Sequence, residues 1–441
     1  MSSDTAPIRF DDSLPLLLAT VEKHLGADSV KTGVVLRDTT GRLSFFNRVD
    51  VSNTVRLHIS NDLSKALGGY AYAERVFATP TDPGATRILN DPSALPIIHE
   101  GIERCALVDR RIIGTDWLAE PIDEEAKPPR IVFGSVKGGV GRSTAIAVLA
   151  ADMARRGLNV LVVDLDLEAP GIGHALLDEN RLPKYGSLDY LLENGIGGVS
   201  EEELSEFIGT SQLTQGAGLV EVMPATGIRS HQNPENFMAK LSRGMLEDLP
   251  ADGDSISLRE KIAEMLDKLT RRKIYDAVLI DARAGMTELA AGPLIGLGAI
   301  VLLFGIAQRQ TIEGYRLLFA SLSLLANRKP ETSWRKRIKM VYAKASLDES
   351  RARHFTDDLW ELFSEYLYDK VEGEEDLDIF NFSPDDPDAP HQPLVIPFNQ
   401  GFVNWEPVES PSDLTAPFYD NTFRPFIDAV GALVFANTDV E

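Results

Sequence analysis

Cysteine is almost absent from the sequence, long hydrophobic runs are missing, and each absence excludes a class of protein. Cys105 is the only cysteine in 441 residues, so one chain has neither a disulfide framework nor a cysteine-based metal site. No segment approaches the unbroken apolar length of about 20 residues that spans a membrane. The first residues, MSSDTAPIRFDD, lack the basic and then apolar pattern of a signal peptide. The expected location is therefore the cytoplasm.

Basic residues are also few compared with acidic residues. The 44 basic residues face 67 acidic residues, which gives a formal net charge of −23. Such a field repels nucleic acid and anionic lipid unless a local basic patch overrides it. Residues 271–273 and 335–337 are short basic runs that could form such a patch, although runs of this kind are more often solvated helix ends. Direct DNA binding is therefore left open.

The length of the chain predicts two or three domains. Residues 1–118 predict a small accessory α+β domain of unknown role, with a first helix closed by Gly26 and short strands at TGVVLRD, RLSFFNRV and TVRLHIS. Asn61 is predicted to cap a further helix. Residues 119–130, acidic and proline-bearing, predict a linker, and residues 131–441 predict the main domain.

The rest of the chain is organised around residues 131–144, IVFGSVKGGVGRST. Its first three residues predict a buried parallel strand, and three glycines then fill three of the four positions 138–141. The run AIAVLAADMARR predicts a helix that ends at Gly157. Strand, glycine loop and helix in this order predict a phosphate-binding loop, because backbone N–H groups at a helix N-terminus can close around an anion.

Carboxylates follow two later predicted strands. Asp164 and Asp166 end the apolar run NVLVVDLD, and Asp281 ends the run Ala277–Ile280. In an open α/β sheet, ligands bind beyond the carboxyl ends of the strands. We therefore expect these side chains to lie near the phosphates of a nucleotide, where carboxylate oxygens suit Mg²⁺.

The glycine loop resembles the deviant Walker A loop of the ParA/MinD family of P-loop ATPases, x-K-G-G-x-G-K-[ST]-[ST]. The resemblance implies a doubly wound, mostly parallel α/β sheet, preceded here by the small α+β domain. It implies that Lys137, the early lysine, is catalytic and reaches across a nucleotide-sandwich homodimer to the partner's ATP. It also implies a nucleotide-binding set of Gly138, Gly139, Val140, Gly141, Arg142, Ser143 and Thr144.

Arg142 departs from the family pattern, which has a second lysine at this position. An arginine still neutralises phosphate and would serve catalysis, but it is a planar fork rather than a compact point charge. The rate of hydrolysis therefore stays open. A slow or inactive nucleotide-bound scaffold is kept as the alternative to an active ATPase.

The later motifs also match the family. Asp164 and Asp166 resemble the D-x-D of switch I, which implies that Asp166 positions the attacking water and that Asp164 supports Mg²⁺ together with Ser143. Asp281 resembles the Walker B aspartate that holds Mg²⁺, and the residues after it, ARAG, resemble switch II. The loop IPFN resembles the family's I-P-x-D loop, which assigns Pro397 and Phe398 to the base. ATP rather than GTP is what the family implies.

The resemblance implies a Mg²⁺-ATP-dependent dimerising switch, coupled to a partner or a positioning process. We expect residues 1–118 to bind a protein partner, and DNA partition, cell positioning and defence all stay open as the process controlled. Metal-cluster carriers of this fold use paired cysteines, and tyrosine kinases of the same class have a tyrosine-rich tail, for which Tyr419 alone is insufficient. The last predicted helix has almost no basic residues, so we expect no membrane anchor.

Overall fold

A computed structural model describes residues 8–72, 75–99, 102–212, 218–249, 253–329, 333–370, 379–403, 405–409 and 416–435. These residues divide into two compact units. The first unit lies within Met1–Ala119 and Leu324–Pro330, and the second within Glu120–Ser323 and Glu331–Glu441. Each unit has a hydrophobic core of its own. The predicted linker belongs to the second unit over most of its length, where the Ile122 N–H donates to the Ile295 carbonyl at 2.8 Å.

A five-stranded mixed sheet forms the centre of the first unit. Its strands are β1 (Val34–Arg37), β2 (Leu43–Phe46), β3 (Phe77–Ala78), β4 (Leu95–His99) and β5 (Ile102–Asp109), in the order β3-β2-β1-β5-β4. Its helices are α1 (Phe10–Leu25), α2 (Ala27–Thr32), α3 (Asn53–Leu67) and α4 (Ala85–Leu89). β1 runs parallel to β5 and antiparallel to β2. The α+β architecture predicted for this part of the chain is confirmed.

Helix α3 corrects the prediction for the segment TVRLHIS, which is not a strand. The alternating apolar residues suggest a strand, but Val55 and Leu57 are exposed, and burial begins only at Ile59. Ile59, Leu63 and Leu67 are buried at intervals of four residues, which is the helical period. Ser52 caps the helix by accepting from the Val55 N–H at 3.4 Å. The predicted cap, Asn61, lies inside α3.

An eight-stranded sheet forms the centre of the second unit. Its strands are β6 (Arg130–Ser135), β7 (Asn159–Asp164), β8 (Gly209–Thr210), β9 (Leu219–Met223), β10 (Ala277–Asp281), β11 (Ile300–Gly305), β12 (Ile338–Ala345) and β13 (Leu394–Pro397). Their order is β13-β12-β11-β6-β10-β7-β9-β8. Neighbouring strands are parallel except for β8, which runs antiparallel to β9. Apolar runs such as IVF and AVLI suit strands that are buried on both faces.

Helices cover both faces of this sheet. They are α5 (Arg142–Arg155), α6 (Ile172–Leu176), α7 (Ser187–Ile196), α8 (Ile228–Gln232), α9 (Phe237–Gly244), α10 (Leu258–Arg272), α11 (Glu288–Ile295), α12 (Arg309–Arg328), α13 (Glu349–Tyr366) and α14 (Ala416–Phe435). Ile131 and Phe133 of β6 pack into the core that α5 and α14 share. On the other face, a Cβ at Gly134 would lie 3.1 Å from Leu294 of α11. The doubly wound, mostly parallel sheet predicted from the sequence is confirmed.

Helix α14 buries an apolar stripe against this core. Phe423, Phe426 and Val430 are at most 3% exposed. The helix is anchored to α5 by the Tyr419 hydroxyl, which donates to Asp152 at 2.9 Å. Among the described residues, no helix is long and apolar enough to cross a membrane.

Candidate functional site

The glycine loop lies between the end of β6 and the start of α5. Gly139 and Gly141 have φ angles of 74° and 97°, in the left-handed region that favours glycine, and Gly141 caps the helix. A Cβ on Gly138 or Gly139 would meet no atom within 4 Å, so the loop borders open space. The first N–H groups of a helix lack partners within it, and the helix dipole adds positive charge there. The loop therefore has the features of an anion site.

Two carboxylates meet behind this loop because β7 and β10 are neighbours in register. Asp281 pairs directly with Asp164 across the strands. The Ser143 hydroxyl, in the first turn of α5, donates to Asp281 Oδ2 at 2.7 Å. The N–H groups of Asp166 and Gly171 donate to Asp164 at 3.0 and 3.2 Å. The structure thus brings the three predicted metal ligands together at one edge of the sheet.

The two buried carboxylates are costly to ionise together. Burial, and then the neighbouring charge of Asp281, raise the pKa of Asp164 well above its usual range. Burial also raises the pKa of Asp281 to about 6, although Arg142 and the hydrogen bond from Ser143 act in the opposite direction. A cation between them would favour the charged forms.

These residues fit Mg²⁺. Asp281 Oδ1 is buried and accepts no hydrogen bond from any described residue. The hydroxyl of Ser143 and the carboxylates are hard oxygen donors, which Mg²⁺ prefers. Among the described residues, no three His, Cys, Asp or Glu side chains are grouped so as to hold a metal on their own. Phosphate oxygens and water would therefore have to complete the coordination, as is usual for Mg²⁺ at nucleotide sites.

Arg142 is buried and paired with the carboxylates. Its Nη2 donates to Asp166 Oδ2 at 3.2 Å, and its Nε lies 3.6 Å from Asp281 Oδ1. Asp166 is held from the other side as well, because Arg283 Nη1 donates to its Oδ1 at 3.2 Å. Both oxygens of the predicted water-positioning carboxylate are thus occupied by arginines. One nitrogen of Arg142, Nη1, has no hydrogen-bond partner among the described residues.

Lys137 projects from the glycine loop toward the start of α12. Its Nζ donates to Gln310 Oε1 at 3.0 Å and lies 3.5 Å from Gln308 Oε1. The loop backbone beneath it is fixed by the Ser135 hydroxyl, which donates to the Lys137 carbonyl at 2.8 Å. Amide partners leave the lysine charge unneutralised, so Lys137 remains available to an anion.

A cavity of about 180 Å³ lies beside the loop, between the ends of β12 and β13 and helix α14. Val140, Gly141 and Thr144 line one side of it. Pro397 and Phe398 line another, with Phe398 53% exposed. The Phe398 N–H already donates to the Ala345 carbonyl at 2.9 Å, so its amide is not free to bind a base. The cavity suits an aromatic ring stacked on Phe398.

A comparison with known families finds a match over part of the chain. A family model described as an AAA domain matches residues 129–330, from the strand before the glycine loop to beyond Asp281. The match covers less than half of the chain but includes the glycine loop and the strands that carry Asp164 and Asp281.

Three solved structures have partial similarity to the chain. The structure of pNOB8 ParA is 18% identical, the match covers 54% of this chain and 78% of that chain, and the TM-score is 0.35. Cobyrinic acid a,c-diamide synthase from Mycobacterium smegmatis with bound ADP and magnesium is 20% identical, with 56% of this chain and 85% of that chain covered and a TM-score of 0.36. The cell division ATPase MinD from Pyrococcus furiosus is 22% identical, with 44% of this chain and 66% of that chain covered and a TM-score of 0.30. No curated protein sequence matches the chain significantly.

Two residues of the candidate site were not predicted from the sequence. Arg283, which follows Asp281 by two positions, also pairs with Glu168 at 2.8 Å. Lys344 has a left-handed φ of 51° at the end of β12, and its Nζ donates to the Gly139 carbonyl at 2.8 Å. Arg283 lies within the segment that resembles switch II, so its place in the sequence could have indicated that it belongs to the site. Nothing in the sequence indicated the contact of Lys344 with the loop.

The two basic runs of the chain are largely engaged in internal contacts. In residues 271–273, Arg271 pairs with Glu201, and both Arg272 and Lys273 pair with Glu221. In residues 335–337, Arg335 is buried against Asp369 and Arg337 donates to backbone carbonyls, whereas Lys336 is exposed. Most of these basic side chains are therefore held within the fold.

Proposed function

We propose that this protein is a Mg²⁺-ATP-dependent dimerising switch, in which ATP binding and hydrolysis are coupled to a partner or a positioning process. The observation that carries the proposal is the meeting of Ser143, Asp281 and Asp164 behind an open glycine loop, with the Ser143 hydroxyl 2.7 Å from Asp281. The loop residues 138–144 would bind the phosphates through backbone N–H groups and the helix dipole. Pro397 and Phe398 would hold the base.

Ser143, Asp281 and Asp164 would hold the metal. Mg²⁺, when bound, supplies neutralisation of the charge on the phosphate oxygens. The buried Asp281 Oδ1 accepts no hydrogen bond from a described residue and has only the longer ion pair with Arg142 Nε at 3.6 Å, which leaves room for a metal to approach it.

Asp166 would orient the attacking water, and the two arginines that contact Asp166 would control how well it can accept a hydrogen bond from that water. Arg142 and Arg283 each donate to one oxygen of Asp166, which reduces the acceptor sites left for a water, and release of either arginine would free one more. Arg142 released from Asp166 would carry its charge toward the phosphates. Phosphoryl transfer depends mainly on such positioning and on charge stabilisation.

A slow or inactive nucleotide-bound scaffold is the second candidate, and the same arginine pair favours it. If both arginines keep hold of Asp166, nucleotide binds but turnover is slow. The two candidates differ in the rate of phosphate release and not in nucleotide binding.

We propose further that Lys137 contacts the nucleotide of a partner subunit and that residues 1–118 bind a protein partner. The amide contacts of Lys137 support the first part, because they leave its charge unneutralised. The separate hydrophobic core of the first unit supports the second. ATP is the nucleotide that we expect, and binding to DNA is an outcome to test.

Calorimetry with Mg²⁺ and ADP, followed by phosphate release from ATP, tests the proposal. Ser143→Ala removes the hydroxyl that donates to Asp281, and we expect ADP affinity in Mg²⁺ to fall by about tenfold. Ser242→Ala is the matched control, because its exposed hydroxyl bonds only within α9. Nucleotide binding that ignores both Mg²⁺ and Ser143→Ala would contradict the proposed site.

A further inference from the structure

A larger cavity lies in the second unit, at the end of the sheet opposite to the glycine loop. It has a volume of about 730 Å³, which is in the range of small-molecule sites. Arg130 and Ile300, at the amino ends of β6 and β11, line it. The glycine loop follows the carboxyl end of β6, so the two sites are separated by the length of a six-residue strand, about 20 Å. No residue assigned to the nucleotide lines this cavity.

Basic side chains dominate its polar lining. The basic residues are Lys127, Arg130, Lys336, Arg337 and Lys339, and the acidic residues are Glu125 and Asp388. This excess of positive charge stands out in a chain whose net charge is −23. A cavity with a local positive field concentrates anions from solution.

The hydrogen bonds that hold two of these cations are accepted by backbone carbonyls, and the nearby carboxylates form no salt bridge with them. Lys339 Nζ donates to the backbone carbonyls of Asp388 and Ala389 at 3.0 and 2.7 Å. Arg337 Nε donates to the carbonyl of Ala299 at 3.3 Å. Within the described residues, no carboxylate forms a salt bridge with Lys127, Lys336, Arg337 or Lys339. Carbonyl oxygens accept hydrogen bonds but bring no full negative charge, so an anion would be favourable here.

Two further observations support the need for an anion. Burial lowers the pKa of Lys339 and the pKa of Arg337 and outweighs the nearby carboxylates, Asp386 and Asp388 for Lys339 and Asp123 and Glu125 for Arg337, so both charged groups are incompletely solvated. Arg130 is 7% exposed, and its Nε has no hydrogen-bond partner among the described residues. Its other contact, through Nη2, is with Asp267. A buried guanidinium nitrogen without a partner is unfavourable unless a ligand or water reaches it.

Apolar side chains form another part of the lining, which we call the apolar wall. They are Leu433 and Val434 of α14, with Pro129, Ile300 and Pro390. Leu433 is 43% exposed, although the helix that carries it is otherwise packed on the core. A purely inorganic ion would leave this wall in contact with water, whereas a ligand with an apolar part would cover it.

We propose that this cavity binds a small organic polyanion, with its negative groups against Lys127, Lys336 and Arg130 and its apolar part against Leu433. The site is separate from the nucleotide site and does not depend on the proposed function. Its charge and its apolar wall are contributed by different elements, so the two parts of the recognition can be tested separately.

Fluorescence titration of the full chain with 8-anilinonaphthalene-1-sulfonate, an aromatic anion, tests the proposal, with inorganic pyrophosphate as the competitor. Replacing both exposed lysines, Lys127→Gln with Lys336→Gln, should weaken saturable binding of the dye and of pyrophosphate by about tenfold. The control pair, Lys31→Gln with Lys65→Gln in the first unit, removes the same charge from exposed lysines and should leave both affinities unchanged.

Leu433→Ala separates the apolar wall from the charges. It should weaken dye binding while pyrophosphate affinity stays the same. Equal dye and pyrophosphate affinities in the cavity pair and in the control pair would overturn the proposal, because binding would then be nonspecific or elsewhere. ADP affinity in Mg²⁺, measured on the same variants, should not change, which distinguishes failure at this cavity from failure at the nucleotide site.

Discussion

Replacing Arg142 with lysine tests how the site is held together before nucleotide binds. The guanidinium reaches two carboxylates, with Nη2 3.2 Å from Asp166 and Nε 3.6 Å from Asp281. A lysine has a single Nζ and keeps at most one of these contacts. Arg142 is 8% exposed, so water cannot readily replace the contact that is lost. A hydrogen bond between charged groups contributes about 2 kcal/mol, and we expect the free energy of unfolding to fall by about that amount.

The measurement is urea unfolding without nucleotide, followed by tryptophan fluorescence, since three of the four tryptophans lie in the second unit. The same variant should bind ADP more tightly, by up to about tenfold, because one fewer ion pair has to open. Arg271→Lys in α10 is the control. Arg271 and its partner Glu201 are 57% and 54% exposed, and such a surface pair contributes less than about 1 kcal/mol. Unchanged stability together with unchanged ADP affinity in Arg142→Lys would refute the reasoning.

Three further predictions concern the second unit. Asp152→Asn should lower the free energy of unfolding by about 2–3 kcal/mol in urea titrations, because the buried carboxylate joins α5 to Tyr419 and Arg424 of α14. Burial raises the pKa of Asp152, but hydrogen bonds from Arg155, Tyr419 and Arg424 outweigh burial and hold this pKa below 3.8. The contribution of Asp152 to stability is therefore complete above about pH 4 and is lost as the pH falls. The variant should lose less stability in acid than the wild type, and an identical acid profile would contradict this assignment. Asp281→Asn should change the pH dependence of stability in the opposite sense. The folded-state pKa of Asp281 is about 6, above the usual 3.8, so the stability of the wild type falls as the pH rises from about 4 to 6. The variant should lack that fall and should lose Mg²⁺-dependent ADP affinity. Phe398→Ala should weaken ADP binding by about fivefold and leave pyrophosphate binding unchanged in calorimetry; equal losses for both ligands would place Phe398 outside the base site.

The sequence predicts the second unit well because its determinants are local. The apolar run of β6, the glycines at 139 and 141, and the carboxylates that end β7 and β10 follow one another within short segments. Parallel pairing then brings Asp164 and Asp281 side by side. The family resemblance supplied the roles, and the residues 129–330 that match the family model include all of these motifs.

The contacts that were not predicted depend on tertiary structure. Arg142 and Arg283 meet at Asp166 only because their loops converge, and no spacing in the sequence indicates this pair. Lys344 reaches Gly139 from a strand more than 200 residues away along the chain. In the first unit, the alternation in TVRLHIS suggests a strand, but the buried residues at intervals of four decide for helix α3.

Dimerisation is the central claim, and light scattering tests it most directly. Molar mass would be measured with Mg²⁺ and no nucleotide, then with ADP, and then with ATP. We predict a single chain of 48.4 kDa without nucleotide and with ADP, a doubled mass with ATP, and loss of that doubling in Lys137→Ala. A mass that ignores ATP, or a dimer that forms equally well in Lys137→Ala, would contradict the account.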